Sequence, residues 1–322
     1  MTAVAPRQAG PSVWRGAELD SADWTWFLDP VDIDELAAAA EAGNHDLATV
    51  GPKLDALAGR LVAGRGFELL RGLPLDDLGP DLAARILLVV GQRLGSLRPQ
   101  NAAGDLLCHV RNVGLDASDP DVRIYQTDQR QTFHTDSSDV VGLLCLRDAA
   151  EGGDSMLVSA SAIYNEMLDR DLDLAHALFE PVATDRRGEV PPGEDPFFTI
   201  AVLSWHAAAL TVIYQRQYIE SAARFPDAPP LTDRQRAALD LFDEIASDSA
   251  MHLTMRLQPG DIQFVHNHSL LHDRTGFVDR PEAPRHLLRL WLSIPGDREL
   301  PPAFASRYGS ITVGDRGGIV VP

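Results

Sequence analysis

His134 and Asp136, in the run Phe133-His134-Thr135-Asp136, set an imidazole and a carboxylate two residues apart. On an extended strand the side-chain period is two, so both point to one face while Thr135 points away. Two such groups held side by side make two thirds of a metal site. The third ligand is expected from a distant histidine on a neighbouring strand. His272, in Leu271-His272-Asp273-Arg274, is the best candidate. Two histidines and one carboxylate on one side of a metal leave the opposite positions open, the arrangement of non-haem Fe(II) oxygenases. A lone His-x-Asp is more often a surface turn or an ordinary strand pair, so the downstream context decides.

That context has two parts. Gly152-Gly153-Asp154-Ser155 reads as a tight turn leading into a strand. Near the C-terminus, Arg285-His286-Leu287-Leu288-Arg289-Leu290-Trp291 places Arg285, Arg289 and Trp291 on one face of a strand. Two arginines on an otherwise apolar strand are costly unless they meet anions. Guanidinium forks suit carboxylates better than lysine does. A dicarboxylate such as 2-oxoglutarate would chelate the metal at one end and pair with arginine at the other.

At these residues the chain resembles the TauD/TfdA family of Fe(II)- and 2-oxoglutarate-dependent oxygenases, over about residues 60–295. The resemblance implies that His134, Asp136 and His272 hold iron and that Ser155 helps bind the 2-oxoglutarate carboxylate. It implies that Arg285 and Arg289 take the distal carboxylate or a substrate anion, and leaves open which does which. The implied reaction consumes O2, releases succinate and CO2, and hydroxylates a C–H bond of a small organic molecule. Halogenating relatives carry a small residue at the position of Asp136, so the carboxylate favours hydroxylation. The stretch from Asp136 to Gly152 is shorter than in the taurine enzyme, and the helical first hundred residues differ from it, which points away from taurine as substrate.

The elements that must position these residues follow from periodicity. A helix is expected from Asp32-Ile33-Asp34-Glu35, with acids in its first turn. A second follows Gly51-Pro52, with Leu54, Leu57, Leu61 and Val62 on one side, and a third runs from about Pro80 to Leu94. A short strand lies between glycines at Gly66 and Gly72. Beyond residue 105 the pattern turns to strands at 122–126, 139–146, 155–159, 197–203, 210–214, 252–257, 261–265 and 286–294, with helices at 161–168 and 232–247. Many short strands with helices packed outside suggest an α+β double-stranded β-helix, or jelly roll. We expect one catalytic domain over 1–322: a mostly helical flank to residue 100, a jelly-roll core with a helical insert over 101–295, and a tail over 296–322.

Other residues are weighed against blander roles. Gln126, Arg130 and His206 are expected toward substrate; the alternative for Gln126 is that Arg123 and Tyr125, on the other face of the strand, look into the cavity, for Arg130 a loop or surface role, and for His206 a structural one. His268-Ser269-Leu270-Leu271-His272 has the histidine spacing of a zincin helix, but Ser269 stands where that chemistry needs a general-base Glu. His266 and His268 are expected to flank the end of the strand. Asp261 should fix a turn by side-chain hydrogen bonding. Residues 185–196, charged and proline-rich, are expected to form a lid.

Composition narrows the function classes. The 322 residues are 45% hydrophobic and 23% charged, as in a globular protein with a sizeable core. A net charge of −19 repels phosphate backbones and anionic membranes, so any acidic substrate must meet a local cluster of arginines. Cys108 and Cys145 are too few for a disulfide framework. The first residues lack a charged start followed by an apolar run, and no stretch approaches the ~20 apolar residues of a membrane span. A cytoplasmic protein is expected. Two rivals stay open: a jelly-roll sensor binding metal and carboxylate without oxygen chemistry, and a hydrolase or isomerase using the metal as Lewis acid.

Overall fold

Asp29 opens the first long helix by accepting a hydrogen bond from the Asp32 amide at 2.9 Å, with Pro30 at the first helical position. This computed structural model describes residues 4–116 and 122–319. Helix α1 (Pro30–Ala42) ends at Gly43, whose φ of 66° is left-handed. Helix α2 (Val50–Ala63) is capped from outside itself: the Glu35 carboxylate on α1 accepts from the Thr49 and Val50 amides at 3.0 and 2.6 Å. Helix α3 (Leu75–Leu94) breaks at Gly79, just before Pro80. The three helices lay Leu36, Leu54, Leu57, Leu61, Ile86 and Leu87 against one side of a sheet.

That sheet has seven strands. In chain order the strands of the two sheets begin with β1 (Thr25–Phe27), β2 (Phe67–Arg71), β3 (Ser96–Arg98), β4 (Leu107–Val110), β5 (Gln131–His134) and β6 (Val140–Arg147). Strand β7 (Ser155–Ser159) and β8 (Leu253–Met255) follow in the chain, then β9 (Ile262–His266), β10 (Leu270–Arg274) and β11 (His286–Ser293). The larger sheet runs β1-β2-β9-β6-β11-β3, with β4 also paired to β11. A second sheet of four strands runs β8-β7-β10-β5. Two helices, α4 (Ala160–Arg170) and α5 (Asp233–Ser247), cover its outer face with Ile163, Met167, Phe242 and Ile245. The two-sheet jelly roll with helices outside is the α+β architecture expected.

Strand parity decides what faces the space between the sheets. On β11, Leu288, Leu290 and Leu292 pack on the N-terminal helices, while Leu287 and Trp291 join the core between the sheets. On β10, Leu271 packs outward with α4 and α5, and Leu270 packs inward. So Arg289, and His272 with Arg274, fall on the inward parity of their strands.

Several elements differ from expectation. Residues 122–126 are not a strand: Ile124–Gln126 is a single 3-10 turn, closed by Thr127 Oγ1 donating to the Ile124 carbonyl at 2.9 Å. The run 197–203 is two strands, because Phe197–Ala201 pairs back to Pro181–Asp185 and Leu203–His206 pairs forward to Ala209–Val212. Ala207 and Ala208, with φ of 46° and 60°, make the tight turn of the second hairpin. Thr25–Phe27 and Ser96–Arg98 add two strands that were not expected to the N-terminal segment, while the expected strand between Gly66 and Gly72 is β2, inside the larger sheet. In the tail, Arg316 is fully buried.

Candidate active site

His134 is the last residue of β5, and the antiparallel register places it directly opposite His272 on β10. Their ring centroids are 4.1 Å apart. Asp136 lies just beyond the strand end, held by its amide donating to Asn267 Oδ1 at 3.1 Å. Its Oδ2 accepts from Trp291 Nε1 at 2.8 Å and lies 3.5 Å from an Arg289 nitrogen and 3.8 Å from His272 Nε2. One ligand atom from each of His134, Asp136 and His272 lies within 4.8 Å of the others, and all three residues are buried.

The protonation states suit a cation. Burial keeps both imidazoles neutral: His134 falls below its ordinary value and His272 is pushed down to about 3. Burial alone would raise Asp136, but the charge of Arg289 and the hydrogen bond from Trp291 overcome it and hold the carboxyl at about 2. His134 Nδ1 lies 2.8 Å from the Thr132 carbonyl, which fixes its proton there and leaves the Nε2 lone pair facing the cluster. Gln131 donates its amide to that Nε2 at 2.9 Å. Two neutral imidazoles and one ionised carboxylate form a donor set for Fe(II). His272 Nδ1 is buried without a hydrogen-bond partner among the described residues.

A second cluster, Asp139, His268 and Asp297, also brings ligand atoms within 4.8 Å. It is already filled by a cation. Arg316 donates to Asp139 at 2.7 Å and to Asp297 at 2.9 Å, while the Ile294 amide and Ser293 hydroxyl satisfy Asp139 further. His266 hydrogen-bonds Asp297 at 3.1 Å, so His266 and His268 belong to this network behind the strand end.

Two cavities meet at His134 and Asp136. The first is lined by Ser155, Arg274, Arg285, Leu143, Leu257 and Leu287. The Gly152-Gly153 turn makes room for it. A Cβ on Gly153 would stand 2.9 Å from Arg285 Nε, one on Gly152 would stand 2.1 Å from the Gly276 carbonyl, and both glycines have left-handed φ. Ser155 Oγ is paired with the Gln263 amide group at 3.0 Å. Arg274 and Arg285 stack on the same ring, 4.7 and 5.1 Å from the Phe277 centroid. Neither forms an ion pair with a carboxylate among the described residues, and Arg274 keeps one buried guanidinium nitrogen without a partner. Burial and the neighbouring Arg285 push Arg274 down to about 10.

Arg289 stands differently. It donates to Gln100 Oε1 at 2.7 Å and lies between Tyr125 and Trp291, 4.7 and 4.9 Å from their centroids. The second cavity is lined by Arg123, Tyr125, Ser137, Gln215, Tyr218 and Arg307 beside His134 and Asp136.

Three expected substrate residues lie elsewhere. Gln126 turns back to accept from the Arg123 amide at 3.4 Å, because the turn replaces the expected strand, and Tyr125 faces the cavities instead. Arg130 is half-exposed and pairs with Asp273 at 2.7 Å. His206 is half-buried on the 203–212 hairpin, 4.0 Å from Glu299. Asp261 does close its turn, accepting from the Gln258 amide at 2.8 Å. Sequence reasoning passed over Arg274, although it sits two residues after His272 and therefore on the same strand face. It had no signal for Arg307, which reaches the site from a short C-terminal helix, Ala305–Tyr308.

Residues 32–291 match the taurine catabolism dioxygenase TauD, TfdA family. The chain belongs to this family. It is 35% identical to FR-33289 synthase of Streptomyces rubellomurinus (strain ATCC 31215), over 93% of this chain and 94% of that one. It is 31% identical to the uridine-5'-phosphate dioxygenase of an Amycolatopsis species, over 71% of this chain and 85% of that one. Among solved structures it resembles asparagine oxygenase in complex with Fe(II), 2S,3S-3-hydroxyasparagine and succinate, with TM-score 0.65, 22% identity and coverage of 84% and 93%. The TauD-family chain is thus a 2-oxoglutarate-dependent dioxygenase, an oxidoreductase using Fe(II), 2-oxoglutarate and O2. No helix among the described residues is long and apolar enough to cross a membrane.

Proposed function

We propose that His134, Asp136 and His272 hold the iron, that Ser155 and Arg285 bind 2-oxoglutarate, and that the reaction is hydroxylation of a C–H bond of a small organic molecule. The observation carrying this reading is the meeting of three ligand atoms within 4.8 Å on the wall of a cavity that also holds two buried guanidinium groups without a carboxylate partner among the described residues. Bound Fe(II) would supply open coordination positions for the co-substrate and O2. The chain's own residues do the rest. Asp136 stays ionised because Arg289 and Trp291 hold its charge, so it is available as a ligand at any working pH. Arg289, fixed on Gln100 and Asp136, serves the ligand set rather than the distal carboxylate. Arg285, joined by Arg274, takes that carboxylate. Leu143, Leu257 and Leu287 keep this end of the cavity apolar, which strengthens the charge pairing.

All of this belongs to one catalytic domain. Both cysteines are buried free thiols, which supports a reduced, cytoplasmic setting. The charge of −19 argues against nucleic acid as a partner. The test is to mix Fe(II) and 2-oxoglutarate with the protein without oxygen. A weak visible charge-transfer band is expected, absent in His134→Ala, with succinate released from the parent when O2 is admitted. No band and no succinate would favour the sensor or the Lewis-acid hydrolase instead.

A further inference from the structure

Asp136 has no strand of its own, because β5 stops at His134 and β6 starts at Val140. Residues 135–139 are irregular backbone, and such a segment keeps one conformation only where its polar groups find fixed partners. Two elements far away in the chain supply them. The first is the turn between β9 and β10. Asn267, fully buried, spans the loop: its Oδ1 accepts from the Asp136 amide at 3.1 Å and its Nδ2 donates to the Ser138 carbonyl at 3.0 Å. Its own amide donates to the Asp139 carbonyl at 2.9 Å. The same turn leads into β10, which carries His272, so Asn267 ties two of the three iron ligands proposed above to one another.

The second element is the tail, which lies outside the 32–291 family match and adds no strand to either sheet of the jelly roll. Gly318 donates its amide to the Ser137 carbonyl at 2.7 Å, and Arg316 donates Nε to Asp139 Oδ1 at 2.7 Å. The tail thus holds both the residue after Asp136 and the end of the loop. A Cβ on Gly317 would stand 2.9 Å from the Ser137 carbonyl oxygen and 3.1 Å from Ser138 Cα, and its φ of 76° is left-handed. Glycine is what lets the two backbones lie this near. Ile319 then enters the core cluster that contains Trp291, whose indole donates to the Asp136 carboxylate.

We propose that Asn267 and the tail residues Arg316–Gly318 are positioning residues for Asp136: they clamp its loop from two sides, which makes the tail a working part of the metal site. This rests on the reading of Asp136 as an iron ligand. Trp291 and Arg289 touch the carboxylate itself, whereas the clamp fixes the backbone that carries it. A carboxylate already aimed at its ion binds without first giving up the freedom of its loop. Loosening the clamp leaves all three ligands in the chain and lowers metal affinity through that added freedom.

The experiment measures the Zn(II) affinity of the full-length protein by competition with a chelating dye, without iron or 2-oxoglutarate. Asn267→Ala and Gly317→Ala should each bind at least ~10-fold more weakly than the parent. Gly142→Ala, whose Cβ would crowd Phe264 at 2.7 Å away from the loop, is the control for lost stability alone and should bind like the parent. In an Asp136→Ala background, where His134 and His272 still take Zn(II) weakly, Asn267→Ala should cause no further loss, because the clamp acts only through Asp136. A merely structural role would lower affinity by the same factor with and without Asp136. The proposal is overturned if Asn267→Ala or Gly317→Ala binds like the parent, if the Asn267→Ala loss is equal in both backgrounds, or if Gly142→Ala weakens binding as much. Asn267→Ser and Gly318→Ala replace a variant that does not fold, with the same expectations. Asp136→Ala binding Zn(II) like the parent would bring down the ligand reading itself. Asp136→Ala weakened while the clamp variants are unaffected would bring down the clamp alone.

Discussion

Replacing Arg274 by methionine should weaken 2-oxoglutarate binding sharply while leaving the fold almost as stable as before. The two effects have separate physical sources. In the structure Arg274 is buried beside Arg285, and its ordinary value of 12.5 falls to about 10. At ~1.4 kcal/mol per decade, the ligand-free cavity bears on the order of 3 kcal/mol of unfavourable charge burial at this residue. Methionine removes that burden and fills most of the volume. It also leaves the Gln129 and Thr127 carbonyls, which Arg274 contacts at 2.6 and 3.3 Å, without that donor. Two such losses cost about 1–3 kcal/mol each when the acceptor stays buried. The terms oppose one another, so the unfolding free energy should shift by no more than a few kcal/mol, in either direction. Binding has no such cancellation. Losing one member of a buried charge pair costs at least ~2–3 kcal/mol, or about 30- to 150-fold in affinity. Calorimetric titration of 2-oxoglutarate with Mn(II) in place of iron reads the affinity. Thermal unfolding with and without co-substrate provides the check. At 2-oxoglutarate 100-fold above the parent's dissociation constant the parent gains ~2.7 kcal/mol, and a 100-fold weaker variant only ~0.4 kcal/mol. A variant that titrates like the parent would refute the assignment of Arg274 to the co-substrate. A variant that fails to fold would refute the charge-strain argument.

Three further outcomes follow from named contacts. Asp136→Gly should abolish turnover and weaken iron binding, because it removes a carboxylate and also the partner of Trp291 Nε1; undiminished succinate release would take Asp136 out of the ligand set. Arg316→Met should cost about 3–5 kcal/mol in urea unfolding, since it strands Asp139 and Asp297 as buried anions. In the parent, burial alone would raise both carboxyls, yet His266, His268 and the arginines hold them below the usual range, so their contribution is present above about pH 4 and is lost as pH falls below it. An acid-unfolding profile that Arg316→Met leaves unshifted would contradict this. Gly142→Ala should destabilise by about 1–3 kcal/mol without changing 2-oxoglutarate affinity, because its Cβ would stand 2.7 Å from Phe264 and 2.9 Å from Leu290.

Period-two reasoning was enough to put His134 and Asp136 on one side, yet the strand that justified it stops at His134. Asp136 reaches the cluster because Asn267 and Trp291 hold it, two contacts across more than a hundred residues that no local pattern contains. The alternation on β11 was legible because a half-buried strand must sort its side chains by face, and Arg289 and Trp291 do face the interior. Arg274 was equally legible by the same parity from His272 and was not weighed. Gln126 was misread because the strand assumed for it is a 3-10 turn, where parity has no meaning. Glu189 and Arg307 were illegible in a stricter sense. They come from a hairpin connection and a four-residue helix, and only the packing of those elements over the jelly roll's mouth brings their charges together.

The distribution of charge gives the fold its selectivity. An acidic exterior repels anions at long range, and this repulsion is screened by salt. The arginines that attract anions are placed inside, where water is scarce and pairing is stronger. In the first cavity Arg274 and Arg285 have no carboxylate partner among the described residues, and on the proposed reading the distal carboxylate of 2-oxoglutarate supplies one. In the second, Glu189 pairs with both Arg123 and Arg307, so the fold itself supplies an anion. The same residue type therefore stands in two charge settings on either side of Asp136, and the difference between them is one glutamate.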